Sequence, residues 1–368
     1  MNNISIRSTL VLSILGVLAI TILIIVENSK KYQQEDFYTE KIAAASLNKK
    51  MQLHLKNTFY ADEIAIDNIN DPNNTGLIGL QFSEITSGRG SLPVKLSTIN
   101  PNFAAMIVQQ IKEAGVKKGD PVGLCFTGSF PALNLATCAA VESLGLKPIL
   151  ITSITSSSWG ANSPTLTWID MQKSLFNAKL ISFMPVASSI GGNQDIGRTL
   201  SREGRDLAVA AIHRNNIPYI NEGSLLGNIQ KRMHFFSKGQ SPKLFINVGG
   251  GIASLGSNAN ANALPAGLKT NIKIKNIPDA QGVVYEMVKN GTPVLNLLNI
   301  NRLMTKYQLP KDPVPLPEVG EGTLFKAYKY DLTIVIAATS IFIALIIAVM
   351  YYDKRQNELG TLIIKQND

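Results

Sequence analysis

Val122 to Thr152, VGLCFTGSFPALNLATCAAVESLGLKPILIT, reads as a strand, a turn, a helix and a second strand. Val122–Phe126 is a short apolar run bounded by turn residues, as expected of a strand buried on both faces. Thr127-Gly128-Ser129-Phe130-Pro131 interrupts it. Pro131–Leu144 follows as a helix, with Pro early, Gly145 past its end and Ser129 positioned as a capping hydroxyl. Pro148–Thr152 is the next strand. Strand, helix and strand in so short a span make a βαβ unit, whose two strands run parallel.

The same alternation extends on both sides. Leu180–Met184, Ile217–Ile220, Leu244–Val248 and Thr292–Leu298 read as strands, and Leu200–Arg214 and Ala280–Lys289 as helices. The expectation is an α/β fold: a three-layer, Rossmann-like domain with a mainly parallel sheet. Before it, Gln33–Asn70 reads as helix through KIAAASLNKKMQLHLKN, a stalk or an edge helix, and Asp71–Gly76 is a turn cluster. After it, Pro310, Pro313, Pro315 and Pro317 stiffen the stretch Gln308–Gly322 into an extended linker. Ser257–Gly267, SNANANALPAG, reads as an irregular loop.

Two apolar runs flank this domain. Thr9–Val26 has 18 residues without a charge and Leu332–Met350 has 19. A bilayer core needs roughly 20 apolar residues as a helix. Both are read as transmembrane helices, the first as an anchor rather than a cleaved signal because no small-x-small site precedes Glu27. Tyr328, Tyr330, Tyr351 and Tyr352 border the second, where amphipathic rings prefer the headgroup level. The organisation is thus a tail (1–8), a span (9–26), a juxtamembrane helical region (27–76), the α/β domain (77–300), a Pro-rich linker (301–331), a span (332–350) and a tail (351–368). Two spans put both termini on one side of the membrane. Lys and Arg are balanced across each span, so charge does not choose the side.

The formal charge is +9, and the stretch between the spans carries a net +9 itself because the ends cancel. A basic domain attracts polyanions, and tethering at a membrane favours an acidic envelope polymer or lipid over nucleic acid. Cys125 and Cys138, one on a strand and one within the next helix, are read as free buried thiols.

Ligands of an open parallel sheet bind beyond the carboxyl ends of its strands. Five such ends carry small polar residues: Thr127 and Ser129; Ser156, Ser157, Ser158 and Asn162; Ser188–Asn193; Asn221-Glu222-Gly223-Ser224; and Gly249-Gly250-Gly251 with Ser254. Glycine lets backbone N–H groups approach an anion, and hydroxyls complete such a cradle. The candidate crevice comprises Thr127, Ser129, Ser156, Ser157, Ser158, Asn162, Glu222, Gly249, Gly250, Gly251 and Ser254. A dinucleotide fingerprint would have a third Gly at Ser254 and an acidic residue about 20 positions on; both are missing, as is any P-loop. His54, His213 and His234 form no ligand pair, so neither metal nor cofactor is expected. No GxSxG surrounds Ser129, and no catalytic residue is assigned. Asp170, Glu203, Asp206 and Glu222 are read as solvated or capping carboxylates, and Arg198, Arg202, Arg205, Lys231, Arg232, Lys238 and Lys243 as two basic stretches.

Four stretches carry a resemblance: FTGSFPALN (Phe126–Asn134), SSSWGANSPTLTWIDM (Ser156–Met171), SREGRDLA (Ser201–Ala208) and INVGGGIASLG (Ile246–Gly256). With an anchor at each end, the chain resembles the poly-gamma-glutamate system proteins, membrane proteins encoded beside the synthesis genes of that capsule polymer. The resemblance implies an accessory role in synthesis or export, with the polymer and the synthase or export proteins as partners and the domain facing outward. It carries no catalytic residues. Two other readings are an extracytoplasmic hydrolase or transpeptidase acting through a Ser or Thr in the crevice, and a cytoplasm-facing nucleotide-binding partner of the synthase.

Overall fold

The computed structural model describes residues 8–60, 66–270 and 281–366. They divide into two units, Glu35–Phe325 and the paired chain ends up to Gln34 and from Lys326.

Six strands form the central sheet: β1 (Pro121–Thr127), β2 (Lys147–Ser153), β3 (Ala187–Ser189), β4 (Leu244–Val248), β5 (Gly267–Lys269) and β6 (Val294–Leu297). Their order is β5-β6-β4-β1-β2-β3, all parallel except β5, which pairs antiparallel with β6 at the edge. The registers align Thr127 with Ser153, Cys125 with Asn247 and Ile151 with Ala187. Residues alternate across the pleat. Val122, Leu124, Phe126, Leu150, Ile246 and Leu295 fill one core, while Cys125, Ile151, Phe245 and Val294 fill the other. The helices α2 (Tyr38–Phe59), α3 (Phe103–Glu113), α4 (Pro131–Ser143), α5 (Trp168–Asn177) and α6 (Arg202–Arg214) supply the first core. α7 (Leu225–Ser237) and α8 (Val283–Lys289) supply the second. Burial on both faces explains why β1 and β4 are largely apolar rather than alternating.

Several expectations change in detail. The third strand is Ala187–Ser189, not Leu180–Met184; Leu180, Phe183 and Met184 pack on the core from irregular backbone. Ile217–Ile220 contributes a single parallel bridge, Tyr219 to Ser188. The predicted start of α8 at Ala280 lies outside the described residues, and the helix is described from Val283. Gln33 and Gln34 are strand residues, and α2 begins at Tyr38. α2 is no free stalk: Ala44, Ala45, Met51 and Leu55 are buried in the first core. The Pro-rich stretch is fastened too. Asn73 Nδ2 donates to Pro313 O at 2.8 Å, and Asn102 Nδ2 to Glu318 O at 2.8 Å. Lys41 Nζ donates to Leu324 O at 2.8 Å. Within SNANANALPAG, Asn258–Ala263 is a short helix. Both thiols are free and buried, and burial pushes Cys125 up to about 12.

The terminal unit holds two long apolar helices, α1 (Thr9–Asn28) and α9 (Leu332–Gln366), whose apolar windows are exposed and long enough to cross a membrane. Lys31–Gln34 pairs antiparallel with Lys326–Lys329. Tyr32 packs on Tyr328 at 5.0 Å between ring centres, Lys31 bonds Asp331 at 2.9 Å, and Tyr330 donates to Glu27 at 2.9 Å.

One ion pair is fully buried. Arg232 Nη1 lies 2.7 Å from Asp195 Oδ2, with the two side chains 4% and 2% exposed. Asp195 also accepts from Ser189 Oγ at 2.9 Å and Asn228 Nδ2 at 2.9 Å. Arg232→Ala leaves that carboxylate buried without its charge partner and is expected to cost about 3–5 kcal/mol. Glu318→Ala, which breaks an exposed pair with Lys49, is expected to leave stability nearly unchanged. Chemical denaturation of the two variants measures the difference.

Candidate functional site

The sheet order reverses direction between β1 and β4, with connections leaving to opposite sides. That is where open parallel sheets form their binding crevice. A cleft of about 610 Å³ opens there. Its walls come from the ends of β1 (Thr127, Ser129, Phe130), β2 (Ser153, Thr155, Ser157), β3 (Gly192, Asn193), β4 (Gly250, Gly251) and β6 (Leu298). A further wall, Ser87-Gly88-Arg89-Gly90-Ser91, comes from an earlier part of the chain.

Local chemistry fixes each wall. Ser129 does not cap α4, whose N-cap is Phe130 without a side-chain bond. Its Oγ instead accepts the N–H of Ser157 at 3.0 Å and ties the β1 loop to the β2 loop. Asn134 Nδ2 donates to Thr127 O at 2.9 Å. Gly249 has φ of +82°, and a Cβ there would lie 2.8 Å from Thr127 Oγ1, so only glycine allows this turn. Gly250 and Gly251 line the cleft, and their backbone N–H groups have no acceptor among the described residues. The β3 loop runs left-handed through Gln194 (φ 58°) and Asp195 (φ 61°), held by the Asp195–Arg232 network behind it.

Of the candidate residues, Thr127, Ser129, Ser157, Gly250 and Gly251 come together in the cleft. Gly249 lies beside it, against Thr127. Ser156, Ser158 and Asn162 lie within the protein. Ser156 Oγ donates to Ser157 O at 2.8 Å, and Ser158 N donates to Gly88 O at 2.9 Å. Asn162 holds Leu80 by both its amide N–H and its carbonyl, at 2.9 and 2.8 Å. Ser254 lines a small separate cavity with Cys125, Asp195 and Arg232. Glu222 faces solvent, 3.4 Å from Lys231. Asp170 closes a capping box with Thr167 and binds Arg214, a structural role. Among the described residues, no group of three His, Cys, Asp or Glu could hold a metal.

Sequence reading missed the Ser87–Ser91 wall and Lys95. Gly88 pairs with Ser157 in a short parallel ladder, Thr86–Gly88 against Ser156–Ser157. That long-range pairing has no local signal. Lys95 sits in the helix Leu92–Thr98, 3% exposed, with Nζ 3.0 Å from Ser157 Oγ and 5.4 Å from the centre of the Phe130 ring. Burial without a carboxylate partner pulls its amine down from lysine's ordinary 10.5 to about 7.

Comparisons with protein-family models, curated proteins and solved structures return no match to this chain.

Below about pH 7 both the folded and the unfolded chain protonate Lys95, and the folded state bears the full cost of the buried charge. Above it the unfolded chain binds more protons, so this group's contribution to stability rises with pH towards lysine's ordinary value. Lys95→Met is therefore expected to raise the melting temperature, with the largest gain below about pH 7 and a smaller one near about pH 9. Thermal unfolding of both proteins at the two pH values checks it.

Proposed function

We propose that the chain is a membrane-anchored accessory component of poly-gamma-glutamate synthesis or export whose Rossmann-like domain binds the acidic polymer in the switch-point cleft. The observation that carries the reading is the cleft's lining. It holds serine and threonine hydroxyls, unpaired backbone N–H groups and the exposed cation Arg89, and no Asp or Glu. Such a lining suits carboxylates: hydroxyl and amide donors satisfy the oxygens, and Arg meets a carboxylate bidentately. The resemblance carried by Phe126–Asn134, Ser156–Met171, Ser201–Ala208 and Ile246–Gly256 is what points to poly-gamma-glutamate as that polymer.

The two apolar helices serve as membrane spans, with both termini cytoplasmic and the domain outside the membrane, where the exported polymer is. The synthase and export proteins are the expected neighbours. Nucleotide chemistry finds no P-loop and no complete dinucleotide fingerprint in the sequence.

Arg89→Glu is expected to weaken binding of poly-gamma-glutamate oligomers about tenfold or more, the loss of one charge-assisted contact. Wild-type affinity is expected to fall as salt rises. Isothermal titration of the detergent-solubilised chain reads both, and equal affinity in Arg89→Glu removes the cleft as the polymer site. Sidedness is separable: Lys117→Cys on intact cells is expected to react with an impermeant maleimide. The native thiols are buried and stay silent. Protection of Lys117→Cys until the cells are opened would put the domain inside.

A further inference from the structure

Binding alone leaves one arrangement unused. Ser157 faces the cleft, and behind it Lys95 Nζ stands 3.0 Å from the hydroxyl oxygen and 3.4 Å from the Ser157 carbonyl. Lys41, the other buried lysine on a helix of this unit, is used differently: its ammonium donates to the carbonyl of Leu324 and so fastens a chain segment. Lys95 also reaches a distant segment, but its shorter contact is to the Ser157 hydroxyl, at 3.0 Å, and the carbonyl is 3.4 Å away; it pairs with no carboxylate among the described residues. Its surroundings are the Ser157 hydroxyl and carbonyl, the Phe130 ring and the backbone of Gly90, and Arg89 is the charged residue that shares the cleft. Gly90 makes the approach possible. A Cβ there would lie 2.3 Å from Ser158 O, 3.0 Å from Lys95 Cε and 3.1 Å from Ser157 Oγ. Ser157 is held from the other side, because its N–H is bonded to Ser129 Oγ at 3.0 Å. A hydroxyl with fixed backbone, open to a cleft on one side and to a buried amine on the other, is the arrangement of an activated nucleophile.

We infer that Ser157 is the nucleophile and Lys95 its general base in an acyl-transfer reaction that cleaves amide bonds of the anionic chain held in the cleft. The choice of substrate rests on the proposed function above; the nucleophile–base pair does not. The Ser157 hydroxyl proton passes to the Lys95 amine as Oγ bonds to the carbonyl carbon. The tetrahedral oxyanion collapses, the C–N bond breaks, and the leaving nitrogen takes the proton back from Lys95. Water then attacks the acyl-serine ester, gives a proton to Lys95, and Ser157 Oγ departs and recovers that proton. The net reaction is amide plus water to carboxylic acid plus amine, with no other reactant. Gly250 and Gly251 line the same cleft, and their unpaired N–H groups are the donor type that an oxyanion requires. An amine brought to about 7 by burial is largely neutral just above neutral pH and can accept the proton.

The test uses the full chain in detergent micelles with p-nitrophenyl acetate as acylating probe, read by intact mass and peptide mapping. Acetylation is expected at Ser157, at a rate that rises through about pH 7. Ser157→Ala removes the adduct. Lys95→Met, whose apolar chain of similar reach keeps the buried site filled, is expected to slow acylation about 100-fold or more and to abolish the rise with pH. Poly-gamma-glutamate is expected to shorten with the wild type and to remain intact, though bound, with Ser157→Ala. Absence of a Ser157 adduct in folded wild type, or an adduct rate unchanged by Lys95→Met, overturns the assignment. Polymer binding without acylation overturns this inference and leaves the binding function standing. Acylation at Ser157 without polymer binding keeps the nucleophile and overturns the polymer as its substrate.

Discussion

Parallel pairing of β1 with both β2 and β4 is the constraint on which the rest of the structure depends. Parallel strands present their carboxyl ends on one edge, so each connection must leave from that edge and return through a helix. The helices cover both faces, which removes water from the ladder and buries β1 and β4 throughout. With connections leaving β1 and β4 to opposite sides, the two loops diverge and no segment closes the gap between them. The cleft is a consequence of topology before any side chain is considered. What the side chains add is its lining, drawn from Thr, Ser and Gly because larger residues would meet the neighbouring loop, as the Cβ contacts at Gly90 and Gly249 demonstrate.

Such a cleft needs rigid walls, and here two buried charges sit behind them in opposite situations. Asp195 is surrounded: Arg232, Asn228 and Ser189 satisfy its oxygens, and these contacts hold Gln194 and Asp195 in a left-handed conformation that non-glycine residues avoid. Held on all these sides, it serves as a fastening. Lys95 has no such shell. Its cost is met by giving up the proton rather than by finding an anion, because an ion buried without a partner shifts its pKa instead of staying charged. The same low-dielectric environment therefore makes one residue a structural pin and the other a titrating amine.

The βαβ core was legible because its signals are local and strong: an apolar run, a glycine turn, an Ala/Leu helix with Pro at its start. Leu244–Val248 was read to the residue for the same reason. The third strand was misplaced because β3 is only Ala187-Ser188-Ser189, with no β-branched residue, while nearby Leu180–Met184 has the apolar run of a strand and is core packing instead. α2 read as either a stalk or an edge helix because Lys49, Lys50 and Lys56 suggest solvent, and its opposite stripe of Ala44, Ala45, Met51 and Leu55, buried in the core, excludes the free stalk. At the site, the strand-end rule found the β1, β2 and β4 loops. It also gathered Ser156, Ser158 and Asn162, since neighbours of a lining residue alternate inward and are spent on backbone bonds. Arg89 and Lys95 escaped because their place depends on Gly88 pairing with Ser157, some 70 positions away in sequence.

The proposed binding of an acidic chain and the proposed use of a neutral amine make opposing demands on one cleft. A carboxylate within about 4–6 Å of Lys95 would favour its charged form and raise its pKa, which removes the base at neutral pH. The two functions coexist only if the carboxylates are taken by Arg89 and the unpaired N–H groups while an uncharged amide carbonyl reaches Ser157. The arrangement of the lining agrees with that division, since Arg89 is exposed and Lys95 is sealed behind Ser157 and Phe130. A measurable consequence follows from the sign of the coupling. Saturating the cleft with glutarate, a dicarboxylate without an amide, should slow acylation of Ser157 by a small ester and move its pH profile upward if a carboxylate settles beside Lys95. It should slow acylation at all pH values, with the midpoint unmoved, if Arg89 and the N–H groups hold both carboxylates away. The second pattern is the one that a cleft built both to hold an anionic chain and to cut it requires.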